Sequence, residues 1–136
     1  MYQVVLNRKV NERSVAQARK YYAMKGELPF EEDYLKQDAV GLNVQRACEL
    51  CIDIANHLIK TRKLGLPQDS TDSFSLLQRA GLIDEAMAAA LRAMVGFRNI
   101  LVHQYQMLDL AIMVEVVERR LDDLLAFANI ALAASD

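Results

Sequence analysis

The chain has no tryptophan, two prolines, two cysteines and five glycines in 136 residues. So little glycine and proline excludes a collagen-like repeat or a low-complexity linker. The two thiols, Cys48 and Cys51, are too few for a disulfide-stapled secreted scaffold and fit a reducing compartment, so the expected location is the cytoplasm. No apolar run approaches a membrane span, and Met1-Tyr2-Gln3-Val4-Val5-Leu6-Asn7-Arg8-Lys9 lacks the apolar core of a signal peptide. Neither sign of charge dominates: 16 Lys and Arg stand against 18 Asp and Glu, for a formal charge of -2 and a pI near 5.7. No basic field covers the whole surface, and any nucleic-acid contact must be local. What is abundant is apolar residues, 53% of the chain, with 25% charged. This is the composition of an ordinary globular protein, and the length suits one domain over residues 1–136.

The helix breakers cluster at Gly26-Glu27-Leu28-Pro29 and Gly65-Leu66-Pro67, Gly81 and Gly96 are isolated, and no stretch alternates with period two. The pattern predicts a first helix over 3–25 with Leu6, Val10, Ser14, Ala18 and Tyr21 on one side. A second, over 32–63, is apolar around most of its circumference and belongs at the centre of a bundle. A polar loop then leads to a short helix over 74–80, closed by Gly81. Asp84 can cap a fourth helix running to about 102. Asp109 can cap the last, where Leu110, Val114, Val117, Leu121, Leu124, Leu125, Ala128 and Leu132 recur at helical spacing. The expected fold is all-α: an antiparallel bundle of four long helices plus one short helix.

Cys48-Glu49-Leu50-Cys51 has the spacing of half a zinc site, but only His57 and His103 exist to complete one. A redox pair sits at a helix N-terminus, whereas this one lies mid-helix in an apolar run, so buried thiols acting as small hydrophobes are expected. Asn43, Arg46, Glu49, Asp53 and His57 form a polar stripe on the second helix. No Glu-x-x-His is present, so a ferritin-like di-metal bundle is excluded. Neither metal nor cofactor is expected. The stripe reads as a ladder of Arg46–Glu49 and Asp53–His57 pairs worth about 0.2–0.5 kcal/mol each, or as one wall of a pocket.

The most informative stretch is Phe97-Arg98-Asn99-Ile100-Leu101-Val102-His103-Gln104-Tyr105. Arg98 falls in the middle of an apolar stripe of Met87, Leu91, Met94, Val95, Leu101 and Val102, where an unpartnered arginine would cost several kcal/mol. It must meet a carboxylate such as Asp53 or Glu49, a phosphate, or a cleft open to water. Asn99 and His103 are i, i+4 neighbours, and Tyr105 lies two turns beyond Arg98. In an unbroken helix Arg98 and His103 point about 140° apart, so their cooperation requires a kink near Val102 or a second copy of the motif. Chemically, a histidine that moves a proton, an arginine that holds phosphorane charge and an amide that orients phosphate suit RNA cleavage without metal.

Arg98, four residues, His103, one residue, Tyr105 resembles the signature of the HepT-like branch of the HEPN superfamily. The likeness extends through Leu42-Asn43-Val44-Gln45-Arg46 with Glu49, Ile52-Asp53-Ile54-Ala55-Asn56-His57 and Asp72-Ser73-Phe74, and covers about 38–125. The resemblance implies a homodimeric helical bundle with two signatures in a shared cleft, acting as the ribonuclease toxin of a toxin–antitoxin pair. The implied antitoxin is a minimal nucleotidyltransferase that transfers AMP to the signature tyrosine. Carried over, Arg98 and His103 are the nuclease residues, Tyr105 the modified one and Asn99 an orienting residue, with Arg46 and Asp53 in support. Arg46, Arg92 and Arg98 would supply the contacts to RNA. Two competing readings are a non-catalytic helical subunit that presents nucleotide or substrate to a nucleotidyltransferase, and a purely structural dimerisation bundle.

Overall fold

The structure is a computed structural model that describes residues 2–135. Its long elements are α1 (Tyr2–Ala23), α2 (Tyr34–Arg62) and α4 (Glu85–His103). The short α3 spans Ser70–Arg79, and α5 (Leu110–Glu115) continues through a π turn, Val116–Arg120, into α6 (Leu121–Ala134) as one rod. The expected all-α bundle of four long helices and one short helix is what the chain forms. No helix among the described residues is long and apolar enough to cross a membrane.

Helix starts follow the local chemistry. Asp33, Asp69, Asp84 and Asp109 each accept a backbone N–H from the first turn they precede, satisfying donors that the helix itself leaves free. Asp69 moves the start of α3 to Ser70, four residues before the expected 74, because its carboxylate takes the Asp72 N–H at 2.8 Å. Gly81, at φ +79°, adopts the left-handed conformation that ends α3 without a Cβ penalty.

Long-range side-chain bonds fix the directions of the helices. Arg19 meets Asp122 at 2.7 Å and Arg8 meets Asn129 at 2.8 Å, so α6 runs antiparallel to α1. Asn11, midway along α1, donates to the Ala47 carbonyl of α2 at 2.9 Å, and Tyr105 beyond the end of α4 reaches Asp38 near the start of α2. Thus α2 is antiparallel to both α1 and α4, with α6 against it through Cys51 and the Leu124 carbonyl. The short α3 docks by Phe74, whose ring meets Phe127 edge to face at 5.4 Å, and by Ser73, which donates to Asn56 at 2.6 Å.

Two expectations about faces change. The buried side of α1 carries Val4, Asn7, Asn11, Ser14, Val15 and Ala18, while Leu6 and Val10 are exposed. Asn11 can occupy the interior because its amide finds the Ala47 carbonyl, and that rotates the helix away from the face Leu6 and Val10 suggest. On α2 neither Arg46–Glu49 nor Asp53–His57 forms an ion pair among the described residues: Glu49 accepts from Gln45 at 3.2 Å. Cys48 and Cys51 are buried and free, as expected.

Candidate active site

Arg98 projects from α4 toward the first turn of α3. There Ser70, held at the helix start by the Asp69 cap, accepts a hydrogen bond from Arg98 Nη2 at 3.2 Å. The cap carboxylate also takes the Thr71 hydroxyl at 2.7 Å; this bond and the Asp72 N–H hold Asp69 below the usual carboxylate range. Arg98 Nε is buried and has no partner among the described residues. No carboxylate pairs with Arg98 among the described residues, so the alternative of an internal bridge to Asp53 or Glu49 is not realised. The guanidinium instead flanks an opening of about 260 Å³ lined by Asp69, Ser70, Thr71, Val95, Arg98 and Asn99. A half-satisfied cation beside a helix N-terminus is poised to hold an anion.

The rest of the motif sits at the other end of the same helix segment. The helix continues unbroken to His103, which is exposed; of the two alternatives, the kink near Val102 that cooperation within one chain requires is absent. Beyond it Gln104, at φ -139° and ψ 44°, ends α4 and starts a 3-10 turn, Tyr105–Met107. Tyr105 therefore leaves the helix, and its place is set by the turn rather than by the two-turn spacing from Arg98. Its hydroxyl donates to Asp38 Oδ1 at 2.9 Å. Partial burial and this carboxylate raise the phenol above its ordinary pKa.

Arg46 and Asp53 make no hydrogen bond or ion pair with Arg98, Asn99, His103 or Tyr105 among the described residues. Arg46 borders a groove of about 300 Å³ against α1, shared with Arg13, Ser14, Gln17 and Asn43. Asp53 is exposed on α2, its carboxyl raised by partial burial and by Glu49. Arg92 is engaged by Glu85 at 3.5 Å and by Ser75 and Gln78. The cysteines take no part: burial pushes Cys48 up to about 12 even though Arg98 opposes the shift, so no reactive thiolate forms near neutrality.

Sequence reasoning missed Ser70 and Asp38. The spacing Asp69-x-x-Asp72 is a helix-start pattern that would have located Ser70. Asp38 lies 67 residues from Tyr105, and no local signal pairs them.

Comparison with known proteins identifies the family and the fold. Residues 12–130 match the family described as HepT-like ribonucleases. The chain is 50% identical over 101 residues to the mRNA nuclease HepT of Shewanella oneidensis, an alignment covering 74% of this chain and 76% of that one. In structure it is similar to a tri-AMPylated Shewanella oneidensis HEPN toxin in complex with MNT antitoxin, with a TM-score of 0.90 and 40% identity over 96% of this chain and 97% of that one. It is similar as well to a toxin–antitoxin crystal structure with AMP-PNP, with a TM-score of 0.91 and 39% identity over 98% and 99% of the two chains. The signature from Arg98 to Tyr105 is thus carried on the fold of its relatives, and the chain belongs to the HepT-like ribonucleases of the HEPN superfamily.

Proposed function

We propose that this chain is the toxin of a toxin–antitoxin pair, a single-domain endoribonuclease that acts in the cytoplasm as a homodimer and cleaves RNA without a metal ion. The observation that carries this reading is Arg98: a cation whose buried Nε has no partner among the described residues, beside an opening at the start of α3. A phosphate in that opening would pair with the guanidinium edge that lines it, with Asn99 at the rim to orient it. In the reaction the 2′-OH attacks the adjacent phosphorus, the bond to the 5′-oxygen breaks, and a 2′,3′-cyclic phosphate remains. His103 moves the proton, and Arg98 holds the charge that grows on the phosphorane.

The unbroken helix supports the dimer. Five residues of α-helix separate Arg98 from His103 by about 140°, so one protomer does not aim both at one phosphate. A second copy facing the first supplies the missing member, and two histidines then provide both a base for the 2′-OH and an acid for the leaving oxygen.

Tyr105, exposed on the turn after His103, is the acceptor for AMP from a cognate minimal nucleotidyltransferase. The AMPylated state of the similar Shewanella toxin supports this. The adduct brings bulk and negative charge close to the motif and excludes the RNA phosphate. The test is cleavage of single-stranded RNA in EDTA by the wild type, Arg98→Ala and His103→Ala, with mass analysis of the ends. The expected result is cyclic-phosphate ends from the wild type and at least about a hundredfold slower cleavage by either variant. Full activity in a variant, or loss of wild-type activity on chelation, overturns the reading.

A further inference from the structure

The hydrogen bond between Tyr105 and Asp38 joins the turn after α4 to the first turns of α2. It is the only side-chain bond of the Tyr105 hydroxyl among the described residues, at 2.9 Å. Asp38 is exposed and pairs with no cation there. Its carboxylate therefore has free lone pairs and no competing positive charge. Tyr105 is 42% exposed, so the side chain is open to an incoming group. A tyrosine held neutral by its surroundings is a weak nucleophile and must lose its proton as it attacks.

We propose that Asp38 is the general base for AMP transfer to Tyr105, accepting the phenolic proton and aiming the oxygen at the nucleotide. The inference rests on the reading of Tyr105 as the AMP acceptor. A nucleoside triphosphate presented by the nucleotidyltransferase supplies the reacting phosphorus. The Tyr105 oxygen forms a bond to the α-phosphorus, and the bond from that phosphorus to the oxygen bridging to the β-phosphate breaks. Pyrophosphate leaves with the electron pair, and the phenolic proton passes to Asp38 Oδ1. The transfer is downhill only as the O–P bond forms, because that bond acidifies the phenol; the carboxylate must be in contact from the outset, as it is here.

Once AMP is attached, Tyr105 has no proton to donate and carries a phosphodiester next to the Asp38 carboxylate. Like charges at hydrogen-bond range repel, which favours departure of the modified side chain from Asp38. The toxin thus contains both the group that receives the nucleotide and the group that readies it.

The experiment measures single-turnover AMP transfer in mixtures of toxin, its nucleotidyltransferase, ATP and Mg²⁺ from pH 6 to 9, using wild type, Asp38→Asn, Asp38→Glu and Tyr105→Phe. Circular dichroism verifies that each variant is folded. Asparagine retains an oxygen that can accept the Tyr105 hydrogen bond but cannot take the proton. At pH 7 Asp38→Asn should be slower by about a hundredfold or more, the usual scale of general-base assistance. The ratio of wild-type to Asp38→Asn rates cancels the partner's own titrations, and it should shrink by about tenfold per pH unit as hydroxide replaces the base. Asp38→Glu should restore the shallow pH dependence. A ratio that stays constant with pH makes Asp38 a positioning residue only, and a ratio near one removes it from the reaction; either overturns the proposal. Absence of any adduct on the wild type, or equal modification of Tyr105→Phe, instead overturns the assignment of Tyr105 as acceptor.

Discussion

Replacing Arg98 with methionine separates a functional arginine from a structural one. Among the described residues Arg98 makes one hydrogen bond, to Ser70, and leaves its buried Nε unpaired. Losing a hydrogen bond to a charged group costs about 1.5–3 kcal/mol, and removing a buried unsatisfied donor returns about 1–3 kcal/mol. The terms oppose each other at similar size, and methionine keeps an unbranched apolar stem. Stability should therefore move by no more than about 1 kcal/mol in either direction. Cleavage behaves differently, since loss of one preorganised donor to transition-state charge lowers the rate by about 10²–10³-fold. Urea unfolding followed by circular dichroism, at one protein concentration because dimerisation shifts the midpoint, gives the first quantity. Single-turnover cleavage of single-stranded RNA gives the second. A destabilisation of about 3–5 kcal/mol, the scale of a broken buried ion pair, or cleavage at the wild-type rate would refute the reasoning.

Three further outcomes follow from the bundle. Burial raises Cys48 from the ordinary 9.0 to about 12 and Cys51 in the same direction, so above pH 9 the unfolded chain releases protons that the folded chain retains. Their contribution is complete below that pH and falls by about 1.4 kcal/mol per pH unit per thiol as pH rises toward 12; urea titrations should show this slope, and Cys48→Ala should reduce it by one thiol. Asn11→Ala removes the amide bond to the Ala47 carbonyl, and calorimetry should record a loss of about 1 kcal/mol; no loss would mean that the helix contact is independent of this bond. A Cβ at Gly41 would lie 3.3 Å from Met113 Cε and 3.6 Å from Leu101 Cδ2, so Gly41→Val should destabilise the bundle by about 1–3 kcal/mol in the same assay through overpacking, and an unchanged melting temperature would contradict the close approach.

Much of this was legible in the sequence because helix boundaries and the motif are local signals. Asp84 and Asp109 announce their helices, and an arginine in an apolar stripe announces a site. What escaped depends on contacts between distant segments. Asn11 looks like a surface residue until the Ala47 carbonyl is beside it, so the spacing of Leu6 and Val10 points to a face that the fold leaves exposed. The pairs expected along α2 follow from i, i+3 and i, i+4 spacing alone, yet Glu49 is taken by Gln45. Tyr105 has the spacing of a helical residue, but Gln104 ends the helix first. Its bond to Asp38 exists only because α2 and α4 run antiparallel.

The shared cleft is the central claim, and subunit mixing tests it most directly. Wild-type and His103→Ala chains are mixed in equal amounts, allowed to exchange, and assayed for RNA cleavage against unmixed wild type at the same total concentration. If each cut needs one histidine from each protomer, activity should fall to about one quarter, since only that fraction of dimers carries both. Activity near one half would mean that a single histidine suffices for each cut and would contradict the two-histidine site.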